Sequence, residues 1–153
     1  MTSQRTRKRI LFLCTGNSCR SQMAEGWTRH LHDHLYEVHS AGTVRHGLNP
    51  DAVAVMSEVG VDISSHLSKT VNDLEATAFD YVITVCDHAH EACPFFPAKI
   101  RVIHTGFQDP PALAAALAEK GASKEQQLDG YRQVRDQIRA FVEKLPTFLE
   151  DNQ

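Results

Sequence analysis

The sequence predicts a single α/β domain, a short parallel sheet of about four strands flanked by helices. Three observations carry that expectation. The chain has 153 residues, 42% of them hydrophobic and 23% charged, enough for one core and too few for two full domains. Short apolar or β-branched runs alternate with stretches of helical period, the pattern of βαβ units. Finally, Cys14, Cys86 and the loop holding Asp109 all follow predicted strands. In parallel sheets ligands bind beyond the carboxyl ends of the strands.

The elements follow in order. Residues 1–8 read as a flexible basic lead-in and 9–150 as the domain. Ile10–Leu13 is a short apolar run ending on Cys14, a buried strand. Thr15–Ser21 is small and polar, a loop. From Met23 to about Leu35 the period is helical, with Met23, Trp27 and Leu31 on one face. Tyr36–Ala41 is a second strand, stopped by Gly42. Asn49-Pro50 opens a helix whose face is Val53, Met56 and Val59, and Gly60 ends it. Asp73–Thr77 is a short helix. Tyr81–Val85 is a β-branched strand reaching Cys86, and Lys99–His104 is another strand. Asp109-Pro110-Pro111 is a turn or a helix start. Ala112–Lys120 and the long stretch from Lys124 to Leu149 close the chain as helices, the last with a buried stripe of Ile138, Phe141, Val142 and Leu145.

The net charge of −3 argues against a polyanion partner, because wrapping nucleic acid needs a broad basic surface. The charge is uneven: residues 1–29 hold six basic residues and one acid, and the remainder holds ten basic and eighteen acidic ones. A positive front end on an acidic body suits a small anion, with uptake sensitive to ionic strength. No apolar run approaches the roughly 20 residues that span a bilayer, so no membrane partner is expected. Four cysteines (Cys14, Cys19, Cys86, Cys93) follow no secretory signal, which points to the cytoplasm. There structural disulfides are rare, and cysteines are buried, metal-bound or redox-active.

The loop Cys14-Thr15-Gly16-Asn17-Ser18-Cys19-Arg20-Ser21 lies between a strand and a helix. Gly16, Asn17 and Ser18 tolerate the tight backbone of an anion nest. A helix N-terminus aims N–H groups and the positive end of its dipole at one point. Arg20 adds a planar clamp for a tetrahedral oxyanion. The same field favours a thiolate at Cys14, and Ser21 can donate to that sulfur. Asn17 braces the loop, and Cys19 reads as a packing residue.

Cys14–Ser21 resembles the phosphate loop of the low-molecular-weight protein tyrosine phosphatase fold. The likeness extends through Ser40-Ala41-Gly42-Thr43, Asn49-Pro50, Asp62-Ile63-Ser64 and Asp109-Pro110. It implies oxyanion binding by Thr15, Gly16, Asn17, Ser18, Cys19 and Arg20, and a general-acid role for Asp109 on a mobile loop. Read from the residues alone, Asp109-Pro110 is equally a turn or a helix cap.

Cys86-Asp87-His88-Ala89-His90-Glu91-Ala92-Cys93-Pro94 resembles the redox segment of thioredoxin-coupled arsenate reductases, which share the phosphatase fold. Gln22, where phosphatases commonly carry proline, agrees with that branch. So does the absence of tyrosine after Asp109-Pro110. The resemblance implies a cytoplasmic arsenate reductase running a thiol relay from Cys14 to Cys86 to Cys93. Arsenate would be the substrate, phosphate and sulfate its competitors, and external thioredoxin the reductant, with a mycothiol- or glutathione-linked reductant left open. No bound cofactor, no metal and a monomeric state are expected. Were residues 86–93 helical, their ends would stand about 10 Å apart, beyond the roughly 7 Å a disulfide spans. Oxidation should therefore rearrange the segment.

Two other readings stay open. One is a tyrosine phosphatase with the same loop and acid. The other is a thiol or metal sensor holding arsenite or zinc through Cys86 and Cys93, with His88, His90 and His104 as further ligands. The resemblance also implies a potassium site at Asn17, Glu25 and Ser40, but Lys69 stands where its aspartate belongs. No potassium site is therefore expected, and Lys69 reads equally as an ammonium in the ion's place beside Glu25 or as a solvent-facing residue.

Overall fold

The computed structural model describes residues 7–74, 78–86 and 96–151. Its sheet has four strands: β1 (Lys8–Cys14), β2 (Tyr36–Gly42), β3 (Tyr81–Thr84) and β4 (Arg101–His104). Their order is β2-β1-β3-β4, and every pair is parallel. The helices are α1 (Arg20–His32), α2 (Pro50–Glu58), α3 (Pro110–Glu119), α4 (Lys124–Glu143) and α5 (Leu145–Asp151). The predicted fold class is the observed one.

Alternation along β1 divides the core. Ile10, Phe12 and Cys14 join Met23, Trp27, Val134, Ile138 and Val142 in the larger cluster, beneath α1 and α4. Leu11 and Leu13 face the other way, onto Ala41, Phe79 and Val82, where Val71, Leu74 and Phe96 cover them. β1 is thus buried on both faces, as expected for a central parallel strand. Trp27, fully packed, donates from Nε1 to the Arg135 carbonyl at 3.2 Å and ties α1 to α4.

Several boundaries differ from the sequence reading. Lys8, expected in the lead-in, is the first residue of β1. The first helix starts at Arg20 rather than Met23, so Arg20 and Ser21 lie in its first turn. α2 buries Ala52, Val55 and Met56, whereas Val53 and Val59 are only partly covered; small Ala52 faces the core, which a search for large residues overlooks. Of the expected short helix Asp73–Thr77, residues 75–77 lie outside the described residues; a 3-10 turn, Val71–Asp73, closed by reciprocal bonds between Thr70 and Asp73, ends where it was expected to begin. The long C-terminal helix is two helices. Pro146 has no N–H for the carbonyl four residues back, and that carbonyl, on Val142, is within 2.7 Å of His32 Nε2 instead.

Candidate active site

The carboxyl ends of β1 and β2 converge on the loop between Cys14 and Arg20. Gly42, opposite Cys14 in the register, lies directly against it. A Cβ there would stand 2.6 Å from the Thr15 carbonyl oxygen and 2.7 Å from the Asn17 nitrogen, an approach only glycine allows. Asn17 takes a positive φ of 47°, a left-handed conformation that asparagine tolerates. The loop then runs into α1, whose first N–H groups have no partner within the helix. The resulting pocket, about 290 Å³, is lined by Cys14, Thr15, Gly16, Ser18, Cys19, Arg20, His46, Asp109 and Pro111. The oxyanion-loop residues expected from sequence therefore gather at one place, except Asn17, which is buried behind it.

Asn17 acts on the loop from behind. Its Nδ2 donates to Ser21 Oγ and Ser40 Oγ, both at 2.9 Å. Its Oδ1 accepts from the Lys69 backbone at 2.7 Å and from Gln22 Nε2 at 2.9 Å. Gln22, fully buried, also reaches the Asn17 and Leu67 carbonyls at 3.1 and 3.0 Å. Its Oε1 is 3.0 Å from His66 Nδ1, so that nitrogen carries the proton. His66 Nε2 is then the acceptor facing Arg29, 3.3 Å away. Sequence reading noted Gln22 only as a departure from phosphatases and missed His66, whose partners are distant in the chain; it also missed Arg29, although Glu25 lies one helical turn before it.

Glu25 closes this network. Ser40 Oγ donates to it at 2.6 Å, and Arg29 pairs with it at 2.7 Å. Burial alone would raise its carboxyl, but His66, the Ser40 hydroxyl, Lys69 and Arg29 outweigh that and hold it below the usual carboxylate range. Of the two readings of Lys69, the one that puts its ammonium in an ion's place beside Glu25 needs correction: its Nζ donates to the Leu67 carbonyl at 2.9 Å, and Arg29 is the direct partner of Glu25. A guanidinium one helical turn along reaches the carboxylate with less folding back than the lysine stem requires.

At the pocket, Arg20 is nearly buried. Its Nη1 donates to the Phe107 carbonyl at 3.0 Å, and its Nη2 lies 3.6 Å from Asp109 Oδ1. Asp109 occupies the N-cap position of α3, yet its side chain makes no capping bond to that helix. Of the two readings of Asp109-Pro110, the helix start is observed, and the carboxylate is turned to the pocket. Cys19 is buried, and desolvation, with Asp109 adding, pushes its thiol far above the ordinary range.

Cys86 follows β3 and is fully buried. Leu13 is opposite Thr84, which brings Cys86 alongside the end of β1. Its Sγ is 3.9 Å from both the Leu13 carbonyl oxygen and Thr15 Oγ1. Cys86 is disulfide-bonded, whereas Cys14 and Cys19 are outside any disulfide. Cys93, His88 and His90 lie outside the described residues, as does the expected rearrangement of the segment that holds them. Among the described residues no group of three His, Cys, Asp or Glu side chains could hold a metal. No helix of the described residues is long and apolar enough to cross a membrane.

Arg7 and Arg9 of the positive front end do not point at the pocket. Arg7 bonds the Asp33 carbonyl at 2.8 Å, and Arg9 pairs with Glu37 at 3.0 Å. Both sit at the amino end of β1, about 20 Å from its carboxyl end and beyond a Debye length at physiological salt. Among the described basic residues of that stretch, Arg20 alone lines the pocket.

The chain matches the family model described as low molecular weight phosphotyrosine protein phosphatase over residues 9–153. An arsenate reductase of Shouchella clausii (strain KSM-K16) is 46% identical over 91% of this chain and 95% of its own. One from Halalkalibacterium halodurans is 42% identical over 94% and 96%. A solved arsenate reductase in a phosphate-binding state superposes with a TM-score of 0.72 at 32% identity, covering 90% of this chain and 95% of that one.

Proposed function

We infer that this chain, which belongs to the low molecular weight phosphotyrosine protein phosphatase family, is an arsenate reductase. In this reading it works in the cytoplasm as a monomer, with one catalytic domain over 9–150 and no bound cofactor. It converts arsenate to arsenite, and thioredoxin restores its thiols. The observation that carries the reading is that Cys14, in the oxyanion pocket and outside any disulfide, has an oxidised Cys86 on the neighbouring strand. A hydrolytic phosphatase needs only the first. Relatives at 42% and 46% identity that are named arsenate reductases support the same choice.

The steps follow from the chemistry. Arsenate binds the loop from Thr15 to Arg20, where the helix N-terminus and the guanidinium offset its charge. The Cys14 thiolate, favoured by the same field, forms a bond to arsenic. Asp109 gives a proton to the departing oxygen, which leaves as water. The Cys86 thiolate then attacks the Cys14 sulfur. The S–As bond breaks with its electron pair going to arsenic, so As(V) becomes As(III) and departs as arsenite. A Cys14–Cys86 disulfide remains. Cys93 attacks Cys86 and frees Cys14, and thioredoxin reduces the resulting disulfide. Oxidised Cys86 with Cys14 outside the disulfide is the combination reached after that last internal exchange.

Phosphate and sulfate compete for the same loop. The phosphatase alternative is separated by Cys86→Ser. This variant should lose multiple-turnover arsenate reduction with thioredoxin, thioredoxin reductase and NADPH, yet still hydrolyse an aryl phosphate. If Cys86→Ser reduces arsenate at the wild-type rate, the reductase relay is wrong.

A further inference from the structure

Two contacts of the Arg20 guanidinium go to one short stretch of chain. Its Nη1 donates to the Phe107 carbonyl at 3.0 Å, and its Nη2 lies 3.6 Å from Asp109 Oδ1. A guanidinium is a rigid planar fork, so a bond at one nitrogen sets the orientation of the rest. The edge that Arg20 offers to an anion therefore depends on where the Phe107 carbonyl stands.

The backbone of that stretch is fastened to the end of β3. The Thr105 nitrogen donates to the Thr84 carbonyl at 2.9 Å, and the Phe107 nitrogen donates to the Val85 carbonyl at 3.3 Å. Between them Gly106 lies against the next carbonyl: a Cβ there would be 2.9 Å from the Cys86 oxygen. The Phe107 ring is fastened elsewhere. It meets Phe141 of α4 edge to face, with centroids 6.2 Å apart and planes at 69°. Phe141 meets Phe148 of α5 in the same way, at 5.4 Å and 68°. All three rings are partly buried against the larger core cluster. Edge-to-face pairs of this kind attract and favour one mutual orientation. Thus β3 holds the nitrogen of Phe107 and the helices hold its ring. With two substituents of the tetrahedral Cα fixed, one place is left for the carbonyl carbon, and its oxygen meets Arg20.

We propose that Phe107 is a positioning residue for the oxyanion clamp: its ring, seated on Phe141, holds its main-chain carbonyl where Arg20 is oriented by it. The inference rests on the oxyanion reading of the Cys14–Arg20 loop. It makes the aromatic row of α4 and α5 part of what binds the anion, although none of the three rings lines the pocket.

The test is calorimetric titration of inorganic phosphate into the reduced protein, as wild type and as Phe107→Ala, Phe107→Tyr, Phe141→Ala and Phe79→Leu. Phe79 is fully buried in the other core cluster, across the sheet from the row. Phe107→Ala and Phe141→Ala should each weaken phosphate binding about tenfold, the scale of one hydrogen bond to a charged group. Phe107→Tyr keeps the ring and should stay within about twofold of wild type. Phe79→Leu should lower the urea midpoint, yet leave phosphate affinity within about twofold of wild type. Unchanged affinity in Phe107→Ala or in Phe141→Ala overturns the proposal. So does a loss in Phe107→Tyr equal to that in Phe107→Ala, or a tenfold loss in Phe79→Leu, the mark of a fold loosened as a whole. Thermal unfolding verifies each fold, and if Phe107→Ala does not fold, Phe141→Ala decides by the same criterion. Failure of phosphate to bind the wild type overturns the oxyanion reading and this inference with it. Phosphate binding that is insensitive to the row overturns this inference alone.

Discussion

Arg20 Nη2 lies 3.6 Å from Asp109 Oδ1, an ion pair that joins the first turn of α1 to the N-cap of α3 across the pocket. The two partners differ in exposure: the guanidinium is 4% exposed and the carboxylate 43%. The arginine is thus an interior clamp, and the acid stands at the rim where a leaving oxygen emerges. Asp109→Asn should cost about 10²–10⁴-fold in kcat. The loss should be largest for aryl phosphates whose leaving groups are poor, because good ones need no proton. Steady-state rates across a series of substituted phenyl phosphates check this; an equal loss for every leaving group would point to misplacement of Arg20 instead.

The two loop cysteines that stand outside any disulfide should react differently. Burial first, then Asp109, pushes the Cys19 thiol far up, so its thiolate population near neutral pH is negligible. Cys14 faces the pocket, at the dipole end of α1. Limited iodoacetamide at pH 7.5 should label Cys14 and spare Cys19, with phosphate slowing the reaction. Peptide mapping by mass spectrometry reads the site directly.

Gln22 should prove a positioning residue. Replacing it with leucine keeps approximate volume but strips the bonds to the Asn17 Oδ1 and to the Asn17 and Leu67 carbonyls. Buried acceptors left unsatisfied cost about 1–3 kcal/mol each, offset in part by the apolar side chain. We expect a net loss of about 3 kcal/mol in urea unfolding and weaker phosphate binding, since Asn17 holds a strained turn. Gln22→Asn, which keeps the amide on a shorter arm, should recover part of the phosphate affinity.

Acidification should weaken the fold in two windows. Desolvation lowers the His66 pKa from its ordinary 6.5, against the pull of Glu25. The unfolded chain then binds a proton before the native one, so stability falls as the pH drops below about 6.5. The Glu25 carboxyl is held below its ordinary 4.5, so its contribution is present above that value and is lost as the pH falls through the lower native one. Urea midpoints from pH 7 to 3.5 should decline in both windows. His66→Gln should flatten the upper window and shrink the lower one, because His66 is among the groups that hold Glu25 down.

Much of this site was legible from residue types alone. An apolar run ending at Cys14, a small-residue loop and a helical period behind it place a nucleophile, a nest and Arg20 together through local chain geometry. The parallel register then brings Cys86 beside them, which alternation of strand and helix implied. What escaped were contacts across long stretches of sequence. Gln22 meets Leu67 and His66, and His46 packs on Gly16, pairings that no local period encodes. The net charge of the first 29 residues misled for the same reason, because β1 carries Arg7 and Arg9 to the far end of the sheet from Arg20. Pro146 was visible and sufficient to divide the last helix, but the apolar stripe continuing through Leu145 and Leu149 masked it.

The central claim is that Cys86 supplies the electrons that turn arsenate into arsenite. The most direct measurement is single-turnover arsenite release from fully reduced protein given arsenate and no thioredoxin. The account predicts about one arsenite per chain from the wild type. It predicts the same yield from Cys93→Ser, with a Cys14–Cys86 disulfide trapped in its peptide map, and none from Cys86→Ser. A wild-type burst of arsenite from Cys86→Ser would contradict it.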